Sequence, residues 1–120
     1  MRKFFVSQPM HGLTMEEILK VREFAKLFIS LYIAENGEEF EIIDTIQANK
    51  EYIAGETTHP RLWYLGNSIA MMSNADMVIM MPGWKDATGC VIECEIASQY
   101  DIPVVVAECN VSNFNKKKKG

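Results

Sequence analysis

The spacing of apolar residues changes period several times along the chain. Lys3 to Val6 is a short apolar run that stops at Ser7-Gln8-Pro9, the pattern of a strand ended by a proline. Thr14-Met15-Glu16-Glu17 is a capping box, with Thr14 as the N-cap and Glu17 reaching back. The helix it opens carries apolar residues at Ile18, Leu19, Val21, Phe24, Ala25, Leu27, Phe28 and Leu31, a wide stripe at helical spacing. Gly37 reads as its C-terminal stop. Phe40 to Ile43 is a second strand, closed by Asp44. Residues 45–60 hold no firm period and read as a loop, with one helical turn around 47–53. A loop of that length in a small domain is often functional.

A second helix follows from Arg61 to Ser73. Met77-Val78-Ile79-Met80-Met81 is continuously apolar between Asp76 and Pro82-Gly83, as in a strand buried on both faces. Gly89 to Tyr100 is helical, and Pro103 to Ala107 forms the last buried strand. Strands alternating with helices predict an α/β fold, a small doubly wound parallel sheet of four to five strands with order 2-1-3-4. Such sheets bind ligands beyond the carboxyl ends of the strands, where the order reverses. The expected site therefore lies between the loop after the first strand, residues 7–13, and the loop after the third, residues 82–88.

Length and composition narrow the classes. At 120 residues the chain is one domain, 1–110, followed by a polar lysine-rich tail, 111–120. With 48% apolar and 23% charged residues it is neither disordered nor fibrous. No apolar run is long enough to span a membrane, and the apolar stretch near Met1 is too short for a signal peptide. The net charge of −4 is an average over two regions. Four of the 12 positive charges are Lys116 to Lys119, so the body stands at 8 − 16 = −8. An acidic body argues against polymeric nucleic acid as a partner. The lysine run reads as a solvated feature. Three widely spaced cysteines, Cys90, Cys94 and Cys109, predict reduced thiols and a cytoplasmic protein. No His pair accompanies them, so no metal site is expected.

The two loops at the predicted switch point carry chemistry that plain connections do not need. Ser7-Gln8-Pro9-Met10-His11-Gly12 offers a hydroxyl, an amide, an imidazole and a flexible glycine. Pro82-Gly83-Trp84-Lys85-Asp86-Ala87-Thr88-Gly89 offers an indole, an ammonium and a carboxylate, and leads into a helix whose free N–H groups suit an anion. Neither loop is a GxGxxG or a P-loop, so a dinucleotide or nucleoside triphosphate site is not supported. One turn inside the helix stands Glu93, among Val91, Ile92, Ile96 and Ala97. The helix dipole favours its anion, and such a carboxylate can act as a nucleophile toward an electrophilic carbon. Glu95 lies about 200° away around the helix, so the two do not form a dyad.

The same residues carry a resemblance. Ser7-Gln8-Pro9-Met10-His11-Gly12 after a strand resembles a YISGPMTG-like opening. Leu65-Gly66-Asn67-Ser68-Ile69 with Ala75-Asp76 resembles a middle section, and Pro82-Gly83-Trp84 with Gly89, Glu93 and Ala97 resembles a PGW…G…E…A segment. Over residues 3–107 the chain is similar to the DUF4406 group, placed with the nucleoside 2-deoxyribosyltransferase-like superfamily. The resemblance implies a transferase or hydrolase that cleaves the N-glycosidic bond of a (deoxy)nucleoside or its 5′-monophosphate without metal or cofactor. Glu93 would attack the anomeric carbon to give a glycosyl-enzyme, which a second base or water resolves with retention. Ser7, Gln8, His11, Gly12, Gly83, Trp84 and Gly89 would line the substrate. His11, Asp44 and Asp86 are candidate proton donors near the base. Relatives complete their pockets with a neighbouring subunit, which implies a homo-oligomer.

Three positions depart from the pattern. Phe5 stands where a Tyr hydroxyl is common, Gln8 replaces a Gly, and Ala87 replaces a Ser. They keep open an alternative, a module that binds a nucleotide-like ligand without cleaving it. Other residues read more plainly. Asp76 begins a strand at the wrong end of the sheet and is expected to be structural. Met71, Met72, Met77, Met80 and Met81 are expected to fill the core. Trp84 suits a base platform or an oligomer contact equally. His59 and Lys85 read as exposed.

Overall fold

The computed structural model describes residues 1–34, 37, 39–46 and 57–107. Its elements are β1 (Arg2–Ser7), α1 (Met15–Tyr32), β2 (Phe40–Ile42), α2 (Pro60–Met72), β3 (Met77–Met80), a 3₁₀ turn (Trp84–Asp86), α3 (Thr88–Gln99) and β4 (Val104–Val106). The four strands form one sheet in the order β2-β1-β3-β4, with every pair parallel. This is the expected order, with the reversal between β1 and β3. Thr45 and Ile46 are helical. The helical turn expected over 47–53, Cys109 and the lysine tail lie outside the described residues. Among the described residues, no helix is long and apolar enough to cross a membrane.

Period-2 alternation on the central strands builds two cores. Phe4 and Val6 of β1, with Met77 and Ile79 of β3, face Ala25 and Ile29 of α1. Phe5 of β1, with Val78 and Met80 of β3, faces Met72 of α2 and Cys90 and Ala97 of α3. β3 is buried on both faces, as its continuous apolar run predicts. Met72, Met77, Met80 and Met81 are buried, and Met71 packs against the second core, so the methionine cluster is core filling.

Helix α1 starts as read. Thr14 Oγ1 accepts from the Glu17 N–H at 3.1 Å, and Glu17 Oε1 accepts from the Thr14 N–H at 3.0 Å. The Thr14 N–H, together with the Thr14 hydroxyl that also donates to Glu17 Oε1 at 3.0 Å, holds the Glu17 carboxyl below its usual range. Two expectations for this helix are corrected. Its buried stripe is narrower than the apolar pattern, because Leu19, Leu27 and Leu31 are exposed. The helix also ends at Tyr32, and Gly37 turns the chain further on with a left-handed φ of 59°. At the amino end of the sheet Asp76 is structural: its Oδ2 accepts from the Lys3 N–H at 2.7 Å, and its own N–H donates to the Lys3 carbonyl at 2.8 Å.

Candidate active site

Strand parity decides what the end of β1 can touch. Phe5 points to the face covered by α3, so Ser7, two residues on, points there too. Glu93 lies on the buried stripe Cys90, Glu93 and Ala97 of α3, where three- and four-residue steps keep one face. The two meet at the switch point: the Ser7 hydroxyl donates to Glu93 Oε1 at 2.7 Å, between side chains that are 1% and 8% exposed. Glu95 points away, exposed, and accepts from Gln99 Nε2 at 2.9 Å.

The electrostatics differ from the reading that the helix dipole fixes Glu93 as an anion. Removing the carboxyl from water costs more than the first turn of a helix returns. Burial pushes Glu93 up to about 7, and the Ser7 hydrogen bond opposes that rise. Near neutrality the group is therefore poised between its two forms, the range suited to acid–base work. Cys90, one turn earlier, is pushed up to about 11 by burial and by the Glu93 charge, with Ser7 opposing. Its thiol keeps its proton.

Two loops flank this pair. Gly83 holds a left-handed φ of 85°, which an L-residue resists. A Cβ there would meet Pro9 Cγ at 3.6 Å, so the loops after β1 and β3 lie against each other. The chain then enters the Trp84–Asp86 turn, whose Trp84 N–H donates to the Met81 carbonyl at 3.2 Å. Trp84 is half-buried and packs against the second core, with Lys85 Nζ 5.8 Å from its ring centre. Ala87 gives α3 no side-chain cap, so the first N–H groups of that helix have no partner from the N-cap side chain. His11, Gly12, Gly83 and Asp86 are exposed in these two loops, and Gly89 at the start of α3 is half-buried.

Parity also sends two expected site residues elsewhere. Gln8 shares the α1 side with Phe4 and Val6. Its Nε2 donates to the Ile18 carbonyl at 3.0 Å, and its Oε1 accepts from Arg22 Nε at 2.8 Å. The bulk that Gln8 adds to the loop therefore lies against α1, not over Glu93. Asp44 is exposed at the end of β2 and lines an open groove of about 250 Å³ with Leu19, Arg22, Lys26 and Ile46. That groove lies on the α1 side of the sheet. Arg22 is 7% exposed and also donates from Nη2 to Thr45 Oγ1 at 3.3 Å. Burial lowers its pKa, and the nearby Asp44 charge opposes that.

Arg22 and Thr45 were not legible as site neighbours from the apolar pattern. The signal was a charge on the buried stripe: Arg22 falls on the same helix face as Ile18, Ala25 and Ile29. Cys90 was likewise read only as a thiol, although it precedes Glu93 by one turn. Among the described residues, no group of three or more His, Cys, Asp or Glu side chains is placed to hold a metal ion.

Residues 2–106 match the family described as a domain of unknown function, DUF4406. The chain belongs to this family. No curated protein and no solved structure matches it significantly. The match covers the whole sheet, both loops and α3, so the buried Ser7–Glu93 pair lies inside the family's domain in this DUF4406 protein.

Proposed function

We propose that this DUF4406 protein is a nucleoside 2-deoxyribosyltransferase-like enzyme that opens the N-glycosidic bond of a (deoxy)nucleoside or its 5′-monophosphate. The observation that carries the reading is the buried Ser7–Glu93 pair at the switch point, beneath two loops with exposed polar groups. In this reading ionised Glu93 attacks the anomeric carbon as the bond to the base breaks. The carboxylate stabilises the oxocarbenium character and captures it as a glycosyl-enzyme. The Ser7 hydroxyl holds Oε1 in place. The exposed His11 or Asp86 supplies the proton that the departing base needs, and the uncapped start of α3 receives a 5′-phosphate. Water or a second base then attacks the same face. No metal or organic cofactor enters these steps.

A second reading rests on a specific observation. Phe5 and Ala87 lack the hydroxyls of the pattern, and Glu93 is held at about 7. A carboxyl that is protonated about half the time near neutrality binds a ligand more readily than it attacks one. The alternative is a module that holds a nucleotide-like ligand intact. Release of free base from deoxynucleosides and their 5′-monophosphates separates the two. The enzyme reading expects release by the wild type and its loss in Glu93→Ala. Tight binding with no release favours the module, and equal release by both proteins removes the nucleophile.

The proposal includes a cytoplasmic homo-oligomer. Leu62 and Trp63 on α2 and Val91 and Ile92 on α3 are exposed apolar residues, and α3 is apolar around much of its circumference. A helix of that kind is usually covered. Light scattering at micromolar concentration is expected to give a dimer or larger, and a monomer contradicts this part.

A further inference from the structure

Among the described residues two charged side chains are buried, Glu93 and Arg22. Glu93 belongs to the site at the switch point. Arg22 lies on the other face of the sheet, on the α1 stripe that it shares with Ile18, Ala25 and Ile29. Taking a charge out of water is costly, so buried charges are normally paired with one of opposite sign. Among the described residues no carboxylate lies at ion-pair distance from Arg22. Its partners are neutral. Nε donates to Gln8 Oε1 at 2.8 Å, and Nη2 donates to Thr45 Oγ1 at 3.3 Å. A guanidinium carries five N–H groups. The other three, both on Nη1 and one on Nη2, have no partner among the described residues. Both terminal nitrogens thus keep an N–H, which is what two-point binding of a carboxylate needs.

Arg22 lines the open groove of about 250 Å³ on the α1 side. Leu19, Ile42 and Ile46 give that groove aliphatic walls, and Leu19 is 47% exposed there. Of the other charged groups along it, Lys26 answers Glu23 at 3.1 Å. Asp44 is exposed, so water screens its charge, whereas the Arg22 charge is shielded from water. One buried positive charge is left facing an apolar-walled space. We propose that this groove binds an aliphatic monocarboxylate, its two oxygens on the Arg22 guanidinium and its hydrocarbon body against Leu19, Ile42 and Ile46. A dianion such as phosphate would bring a second negative charge toward Asp44 and Glu23, with no further buried cation to meet it, and has no use for aliphatic walls. The site lies across the sheet from Ser7 and Glu93, so it stands whether or not Glu93 is a nucleophile.

The test follows the Arg22 Nε–H resonance in ¹H–¹⁵N spectra of the full chain, assigned by its loss in Arg22→Lys. Sodium isovalerate replaces sodium chloride at constant pH and ionic strength. The resonance is expected to shift and to saturate in the millimolar range, as so small a ligand allows. Isovaleramide, the neutral isostere, leaves it in place, and inorganic phosphate gives no saturation over the same range. Arg22→Lys keeps the charge but loses the fork, and weakens isovalerate about tenfold as read on the Ile42 and Ile46 methyl signals. A change at a buried position can disturb packing, so an exposed position supplies a second reading. Leu19→Glu sets a like charge in the groove and weakens isovalerate about fivefold or more, while Leu19→Met stays within about twofold of the wild type. No saturation by isovalerate, an equal response to isovaleramide, or tighter binding of phosphate overturns the proposal. Isovalerate binding that Leu19→Glu leaves unchanged overturns it as well.

Discussion

Replacing Glu93 with Gln is expected to stabilise the protein, and only above a definite pH. Burial pushes the native carboxyl from its ordinary value of 4.5 up to about 7. Between those values the native state holds a proton that the unfolded chain has released. Stability contributed by this group is therefore full below pH 4.5, falls as the pH rises, and is lost above 7. At about 1.36 kcal/mol per unit, the rise amounts to at most about 3 kcal/mol. Glu93→Gln keeps the shape and a partner for Ser7 but does not ionise. Urea unfolding of both proteins from pH 4 to 8.5 isolates the effect, because every other titrating group cancels in the difference. The gap in favour of Glu93→Gln is expected to be small at pH 4 and to widen by up to about 3 kcal/mol at pH 8. A gap that does not change with pH, or a Gln variant less stable at pH 8, refutes the argument that burial dominates this carboxyl.

Other outcomes follow from the same geometry. Ser7→Ala removes the hydroxyl that opposes the burial of Glu93, so the carboxyl midpoint rises further in an NMR titration, and chemical denaturation reads a loss of about 1–3 kcal/mol. Arg22→Met strands Gln8 Oε1 and Thr45 Oγ1 and is expected to cost about 2–4 kcal/mol, of which Gln8→Leu in the same chain recovers part. Gly83→Ala meets no clash at 3.6 Å from Pro9, so its cost is the backbone strain alone, about 1–2 kcal/mol by urea unfolding. If Glu93 acts as the anion, base release rises with pH through about 7, and a rate flat across that range contradicts the role.

Much of the fold was legible because a parallel sheet writes itself in continuous apolar runs. Met77 to Met81 could only be buried on both faces, and the alternation of strands and helices fixed the order around it. The site was legible in part. Ser7 and Glu93 were named from their loop and helix, and they do meet. Their contact follows from parity on β1, which one strand boundary decides. The same parity sends Gln8 to α1, a consequence that a motif-by-motif reading passes over. Arg22 was missed because a guanidinium on an apolar stripe is expected to reach water, whereas here Gln8 and Thr45 hold it in the interior. The direction of the Glu93 shift was missed for a related reason. The helix dipole is readable from position along a helix, but desolvation depends on what the other elements lay over it.

The claim that Glu93 forms a bond to sugar is tested most directly by trapping that bond. Wild-type protein mixed with deoxynucleosides or their 5′-monophosphates, quenched in acid and digested, is read by mass spectrometry of the peptide that carries residues 88–99. The account predicts one deoxyribosyl or deoxyribosyl-phosphate adduct on Glu93, absent from Glu93→Gln. Base release without any adduct, with turnover retained in Glu93→Gln, contradicts it.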